Sequence, residues 1–128
     1  MGWTLDSGTL IAADRGDRRF WEFRELPGEE GELPSIPAAV IAEVWRGGRN
    51  ANLARALRGC EIVNVDEELA KAAGVLCARA STSDPVDALV VASAARRGDD
   101  IVTTDPDDLR ALAAVAAGCG RILDLNDL

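Results

Sequence analysis

The chain has 128 residues, with 14 Lys and Arg against 22 Asp and Glu, no His, three Cys and a formal net charge of −8. That length predicts one domain over residues 1–128, and 48% hydrophobic with 28% charged residues excludes disorder. The missing histidine excludes histidine-ligated zinc, Ser-His-Asp triads and histidine general bases, so any catalysis rests on carboxylates, hydroxyls, thiols or a bound metal.

Trp3-Thr4-Leu5 is a short apolar run that ends at Asp6 and reads as a buried first strand. A short helix is expected over Thr9–Ala13. Phe20, Phe23 and Leu26 recur at three-residue steps and predict an amphipathic helix over Arg18–Leu26, stopped by Pro27-Gly28. Pro27 to Pro37 is loop-like, with a weak second strand at Leu33–Ile36. Pro37 opens a helix from Ala38 to about Arg46, and Gly47-Gly48 ends it. Asn50 caps a helix over Ala51–Arg58, ended by Gly59. The β-branched run Cys60–Val65 is the third strand. Asp66 caps a helix to about Ala80, with Glu67 and Glu68 in its first turn, where the helix dipole favours them. Asp84-Pro85 opens a helix over Pro85–Arg97, and Gly98 stops it. Ile101–Thr103 is a strand, Asp105-Pro106 opens a helix to about Ala117, and Arg121–Leu125 is the last strand. Strands alternating with helices predict an α/β fold with a mostly parallel sheet.

In such sheets ligands bind beyond the carboxyl ends of the strands, where strand order reverses. Asp6 and Asp105 both stand at strand ends. Each also has a capping role open to it: Asp105 precedes Pro106, and Asp6 precedes the helix at Thr9, although Ser7 or Gly8 would cap that helix more directly. Asp87 lies three residues past Asp84 in a pattern resembling a capping box, ahead of the apolar run Ala88–Ala92. Glu43 is an isolated acid within Val40–Trp45, set either on a solvent face, at a site, or in an ion pair with Arg46. If the four converge, they make an oxygen-rich, histidine-free cluster suited to Mg²⁺ or Mn²⁺. Such a metal polarises a phosphoryl oxygen and activates a bound water. It would also supply the positive charge that an acidic chain lacks toward a polyanion.

The segments LDSGTLIAADRGDRR (Leu5–Arg19), PAAVIAEVWRG (Pro37–Gly47), SDPVDALVVASAARRG (Ser83–Gly98) and IVTTDPDDLRALA (Ile101–Ala113), in this order, resemble the PIN-domain ribonucleases, especially the VapC-like toxins of bacterial toxin–antitoxin pairs. The resemblance spans almost the whole chain and places the family's four core acids at Asp6, Glu43, Asp87 and Asp105. It implies a five-stranded parallel sheet of order 3-2-1-4-5 with helices on both faces, and metal-dependent endonucleolytic hydrolysis of RNA. Asp6 and Asp105 would hold Mg²⁺ or Mn²⁺ most directly, while Glu43 and Asp87 bind it through water or orient the attacking water. An antitoxin protein and a homodimer are implied as partners. Gly8 departs from the pattern, replacing a small hydroxyl residue common two places after the first Asp; Ser7 and Thr9 flank it. Leu109 stands where an aromatic is common. Asp84 and Asp108 are extra acids, read first as caps and second as outer members of the site.

LDSGT also resembles the DxDGT loop of haloacid-dehalogenase-like phosphatases, but the second Asp is missing and Lys71 is the only lysine. A receiver domain needs a lysine after its last strand, and none is there. A third reading is a binding module whose acids are only caps. Toward a protein inhibitor, Trp21 and Trp45 are the candidate anchors, with Phe20 and Phe23 read as core. Arg15, Arg18, Arg19 and Arg46 are candidate RNA contacts, whereas Arg96 and Arg97 suit a helix C-terminus. Cys60, Cys77 and Cys119 form no CxxC pair and read as small core hydrophobes of a reduced, cytoplasmic protein. No apolar run approaches the ~20 residues of a membrane span, and no signal segment follows Met1.

Overall fold

The computed structural model describes residues 2–25 and 32–128. Strand β1 (Trp3–Leu5) leads into α1 (Ser7–Asp14) and α2 (Arg18–Glu25). Next come β2 (Ser35–Pro37), α3 (Ala38–Val44), α4 (Ala51–Arg58) and β3 (Glu61–Val63). Helices α5 (Glu67–Ala80) and α6 (Pro85–Arg97) precede β4 (Asp100–Thr103), and α7 (Pro106–Ala114) precedes β5 (Ile122–Asp124). A 3₁₀ turn over Leu125–Asp127 follows.

The five strands lie in the order β3-β2-β1-β4-β5, and every neighbouring pair is parallel. Strand order therefore reverses between β1 and β4, whose register pairs Trp3 with Asp100 and Leu5 with Val102. The strands at the centre are buried on both sides, as parallel sheets require: Thr4, Leu5, Ile36, Ile101 and Val102 are fully enclosed. One group of helices gathers α1, α2 and α4; a second gathers α5, α6 and α7. Helix α6 lies at the centre of the second group, burying every residue from Ala88 to Ala94, which is why its sequence is apolar all round. Among the described residues no helix is long and apolar enough to cross a membrane.

Several element ends differ from the sequence expectation, each for a local reason. Helix α1 starts at Ser7, two residues early, because Asp6 itself is the cap: its Oδ1 accepts the Thr9 N–H at 3.0 Å. Strand β2 falls at Ser35–Pro37 instead of Leu33–Ile36, since pairing with β3 sets Ser35 opposite Glu61 and Pro37 opposite Val63. Pro37 is thus the last strand residue and the cap position of α3, not its first turn. Helix α3 ends at Val44, where Trp45 turns extended and Arg46 reaches back with its guanidinium to the carbonyls of Ala42 and Glu43. The glycines Gly47 and Gly48 come after that stop, both at positive φ. Strands β3 and β5 are shorter than Cys60–Val65 and Arg121–Leu125, because each is an edge strand with one partner. Helix α7 stops at Ala114 instead of Ala117, its last turn tightening through the Val115 N–H to Leu112 O. Asn50 takes the cap position of α4 without a side-chain capping bond. Leu26, Pro27 and Gly28, expected to end α2, lie outside the described residues.

Candidate active site

The site grows from the β1–β4 reversal. Asp6 follows β1 directly, and its backbone N–H reaches Val102 O of β4. Its side chain is buried, 6% exposed, and each oxygen accepts one bond: Oδ1 caps α1 through Thr9, and Oδ2 accepts from Thr103 Oγ1 at 2.5 Å. Burial raises the proton affinity of Asp6, while the bonds from Thr103 and Thr9 pull it down. Thr103 closes β4 and uses its hydroxyl twice, since its oxygen also accepts the Asp105 N–H at 3.0 Å. One hydroxyl thereby ties the two strand-end acids together.

Asp105 occupies the cap position of α7, yet its carboxylate makes no capping bond. It faces Asp108 instead, whose pKa is raised first by the Asp105 charge. Asp84 does cap α6, accepting the Asp87 N–H at 3.1 Å. Asp87 is half-buried at the start of that buried helix. Its carboxyl is pushed up to about 7, by burial first, then by Asp84, and then by the charges of Asp6 and Asp108. Asp6, Asp84, Asp87, Asp105 and Asp108 therefore share one electrostatic neighbourhood, contributed by the starts of α1, α6 and α7. Asp6 and Asp84 each cap a helix and stand in this acidic group as well.

Glu43 stands at the margin. It is exposed, and its Oε1 accepts from Ser7 Oγ at 2.8 Å, which joins α3 to the residue next to Asp6. The Glu43–Arg46 ion pair, one of the alternatives for this acid, does not form; Arg46 donates to the Glu43 carbonyl. Among the described residues no three Asp, Glu or Cys side chains stand at the spacing of a ready-formed metal site. The donor set nevertheless fits a hard divalent cation. It offers only oxygens, and its acids repel one another enough to raise their proton affinities. Ligation would draw them closer than they stand here.

Two residues escaped the sequence reading. Thr103 was legible only as a strand residue, though a threonine two places before a strand-end Asp was the available signal. Ser7 was noted as a neighbour of Gly8, but its bond to Glu43 depends on how α3 crosses α1. Other acids belong elsewhere. Asp99 is buried where β4 begins, opposite the site, accepting from Thr4 Oγ1 at 2.9 Å and Arg97 Nε at 3.2 Å. A hollow of about 420 Å³ between α5 and α6, lined by Leu69, Leu76, Ala92 and Arg96, contains none of the site acids.

The candidate anchors and cations are dispersed. Trp21 packs edge-on against Phe20 and lies beneath the Arg55 guanidinium, 3.8 Å from its ring centroid, so it joins α2 to α4. Trp45 is 43% exposed beyond the end of α3. Arg15 is the C-cap of α1, a helix length of ~12 Å from Asp6. Arg18 pairs with Glu22, and Arg19 bonds Asn126.

The family profile described as PIN domain matches residues 4–115. No curated protein matches the sequence. Among solved structures, a toxin–antitoxin complex from Klebsiella pneumoniae is similar at a TM-score of 0.72 and 19% identity, over 95% of this chain and 96% of that one. DNA-bound VapBC from Salmonella typhimurium is similar at 0.69 and 22%, over 98% of each chain. FitAcB from Neisseria gonorrhoeae is similar at 0.66 and 18%, over 98% of this chain and 99% of that one. At these identities the structural likeness is one of fold, and it agrees with the profile match over most of the chain. The chain belongs to the PIN domain family.

Proposed function

We propose that this chain is a metal-dependent endoribonuclease and the toxin of a toxin–antitoxin pair. The observation that carries the reading is the placing of Asp6 and Asp105 after β1 and β4, at the strand-order reversal of a PIN domain, with the carboxyl of half-buried Asp87 pushed up to about 7 by burial and then by the charges of Asp84, Asp6 and Asp108. Acids in that state gain most from a cation, and among the described residues no basic side chain forms an ion pair with Asp6, Asp87 or Asp105. Mg²⁺ or Mn²⁺ would polarise the scissile phosphate and lower the pKa of a bound water. Asp6 and Asp105 would hold the cation directly, and Asp87 and Glu43 would complete the pocket and orient the attacking water. Thr103 and the α1 cap fix Asp6 in place, so that acid does not need to reorient on binding, and the others would close on it.

The toxin reading draws on the solved structures similar in fold, among them a toxin–antitoxin complex and a DNA-bound VapBC. The partner we infer is an antitoxin that sets Arg or Lys among the acids, with Trp45 as an exposed apolar anchor. A homodimer and a cytoplasmic location complete the proposal. The test is cleavage of cellular RNA by the purified, inhibitor-free chain. Cutting should appear with Mn²⁺ or Mg²⁺ and stop with EDTA; undiminished cutting in EDTA would sink the reading.

A further inference from the structure

Gly8 lies in the first turn of α1, two residues past Asp6. Glycine is a poor choice inside a helix, because it gives up more backbone freedom than alanine. Its φ is not positive, so the backbone does not demand it. The reason lies across the site: a Cβ on Gly8 would overlap the hydroxyl oxygen of Thr104, and would stand 3.7 Å from Asp6 Oδ1. The missing side chain is what lets Thr104, next to Asp105 in the chain, place its hydroxyl over the start of α1 near Asp6.

The donors around the acids can be counted. Ionised carboxylates only accept. Ser7 donates to Glu43, Thr9 to the Val102 carbonyl, and Thr103 to Asp6. Their hydroxyl protons are spent inside the protein. Thr104 is half-buried, and among the described residues its hydroxyl has no hydrogen-bond partner. A bound phosphate needs donors, and this hydroxyl proton is uncommitted beside Asp6, where those of Ser7, Thr9 and Thr103 are spent.

We propose that Thr104 is a substrate-contacting residue of this chain, its hydroxyl donating to a non-bridging oxygen of the RNA phosphate from the space that Gly8 leaves open. The proposal rests on the nuclease reading above. It predicts that Thr104 and Gly8 act as one unit, because any side chain at position 8 displaces the hydroxyl.

The experiment measures RNA cleavage with Mn²⁺ alongside thermal melts with and without Mn²⁺. Thr104→Val keeps the shape and removes the donor. It should melt like wild type and keep the full Mn²⁺ shift, yet cleave about 10- to 100-fold more slowly, the loss expected for one hydrogen bond to a charged oxygen. Thr104→Ser should retain most of the rate. Gly8→Ala, which favours the helix, should lose rate like Thr104→Ala, and the double variant should be no worse than either single one. Wild-type cleavage by Thr104→Val overturns the proposal. So does loss of the Mn²⁺ shift in that variant, which would assign Thr104 to the metal instead of the phosphate. If wild type itself cuts no RNA while Mn²⁺ still shifts its melt, the nuclease reading fails first.

Discussion

Thr103 and Asp6 meet across the β1–β4 junction, the hydroxyl of one donating to the buried carboxylate of the other at 2.5 Å. The same threonine oxygen accepts the Asp105 N–H. Strand pairing brings the two residues side by side, since Leu5 is in register with Val102. The bond lowers the proton affinity that burial raises in Asp6, so it keeps a buried acid available as a carboxylate.

Replacing Thr103 with Val removes that donor and leaves Asp6 Oδ2 enclosed without a partner. We expect a loss of about 1–3 kcal/mol in stability without metal, and an Asp6 that is harder to ionise. Cleavage of RNA should fall with it, and the fall should be steeper at acid pH. Denaturant melts and a pH–rate profile check this; a Val variant with wild-type stability and profile would show the bond to be idle.

Asp87 gives a pH dependence whose sign is fixed. Its folded pKa of about 7 lies above its ordinary 3.8, so the folded state holds the proton more tightly than the unfolded chain. Its contribution to metal-free stability is therefore full below pH 3.8 and is lost as pH rises through about 7. Asp6 and Asp108 shift in the same direction. Wild type should lose stability relative to Asp87→Asn between about pH 4 and pH 7, while the stabilisation by Mn²⁺ grows over that range. A difference between the two proteins that does not change with pH would remove Asp87 from the acidic group.

Asp99 provides the contrast, an acid of structure alone. It accepts from Thr4, from Arg97 and from the Gly2 N–H, and Arg97 continues to Glu61 on the edge strand β3. Asp99→Ala leaves buried hydroxyls and a guanidinium without their acceptor and should cost about 2–4 kcal/mol. At a temperature where the variant is folded, its Mn²⁺ shift and cleavage rate should match wild type. A stable Asp99→Ala with impaired cleavage would contradict this division.

Much of this arrangement was legible in the sequence because local signals and tertiary demand agreed. Asp66 and Asp84 cap the helices their positions predicted, and Gly98 ends α6 in the left-handed conformation expected of a glycine stop. The parallel α/β class follows from alternation, while the strand order came with the family resemblance. What could not be read locally was long-range. Pro37 looks like a helix opener until its pairing with Val63 makes it a strand end. Asp6 caps α1 and faces the acidic group at once, a pair of duties that local sequence presents as alternatives. Arg15 is close to Asp6 in sequence, yet α1 carries it to the far end of the helix. The partner of Glu43 proved to be Ser7, not the nearby Arg46, because α3 ends too soon for the ion pair and turns Arg46 onto its own carbonyls.

The most direct measurement is the thermal melt of wild type, Asp6→Asn and Glu43→Gln, each with EDTA and with Mn²⁺. Asn caps a helix about as well as Asp, and it removes a buried charge, so metal-free Asp6→Asn should melt at or above wild type. Glu43 is exposed, so Glu43→Gln should change metal-free stability by no more than about 0.5 kcal/mol. Mn²⁺ should raise the melting temperature of wild type, because it binds the folded acids and hardly the unfolded chain. Asp6→Asn should lose most of that rise, Glu43→Gln part of it, and both should lose RNA cleavage. If both variants keep the full Mn²⁺ shift, Asp6 and Glu43 do not share a metal site and the account of this chain as a metal-dependent nuclease is wrong.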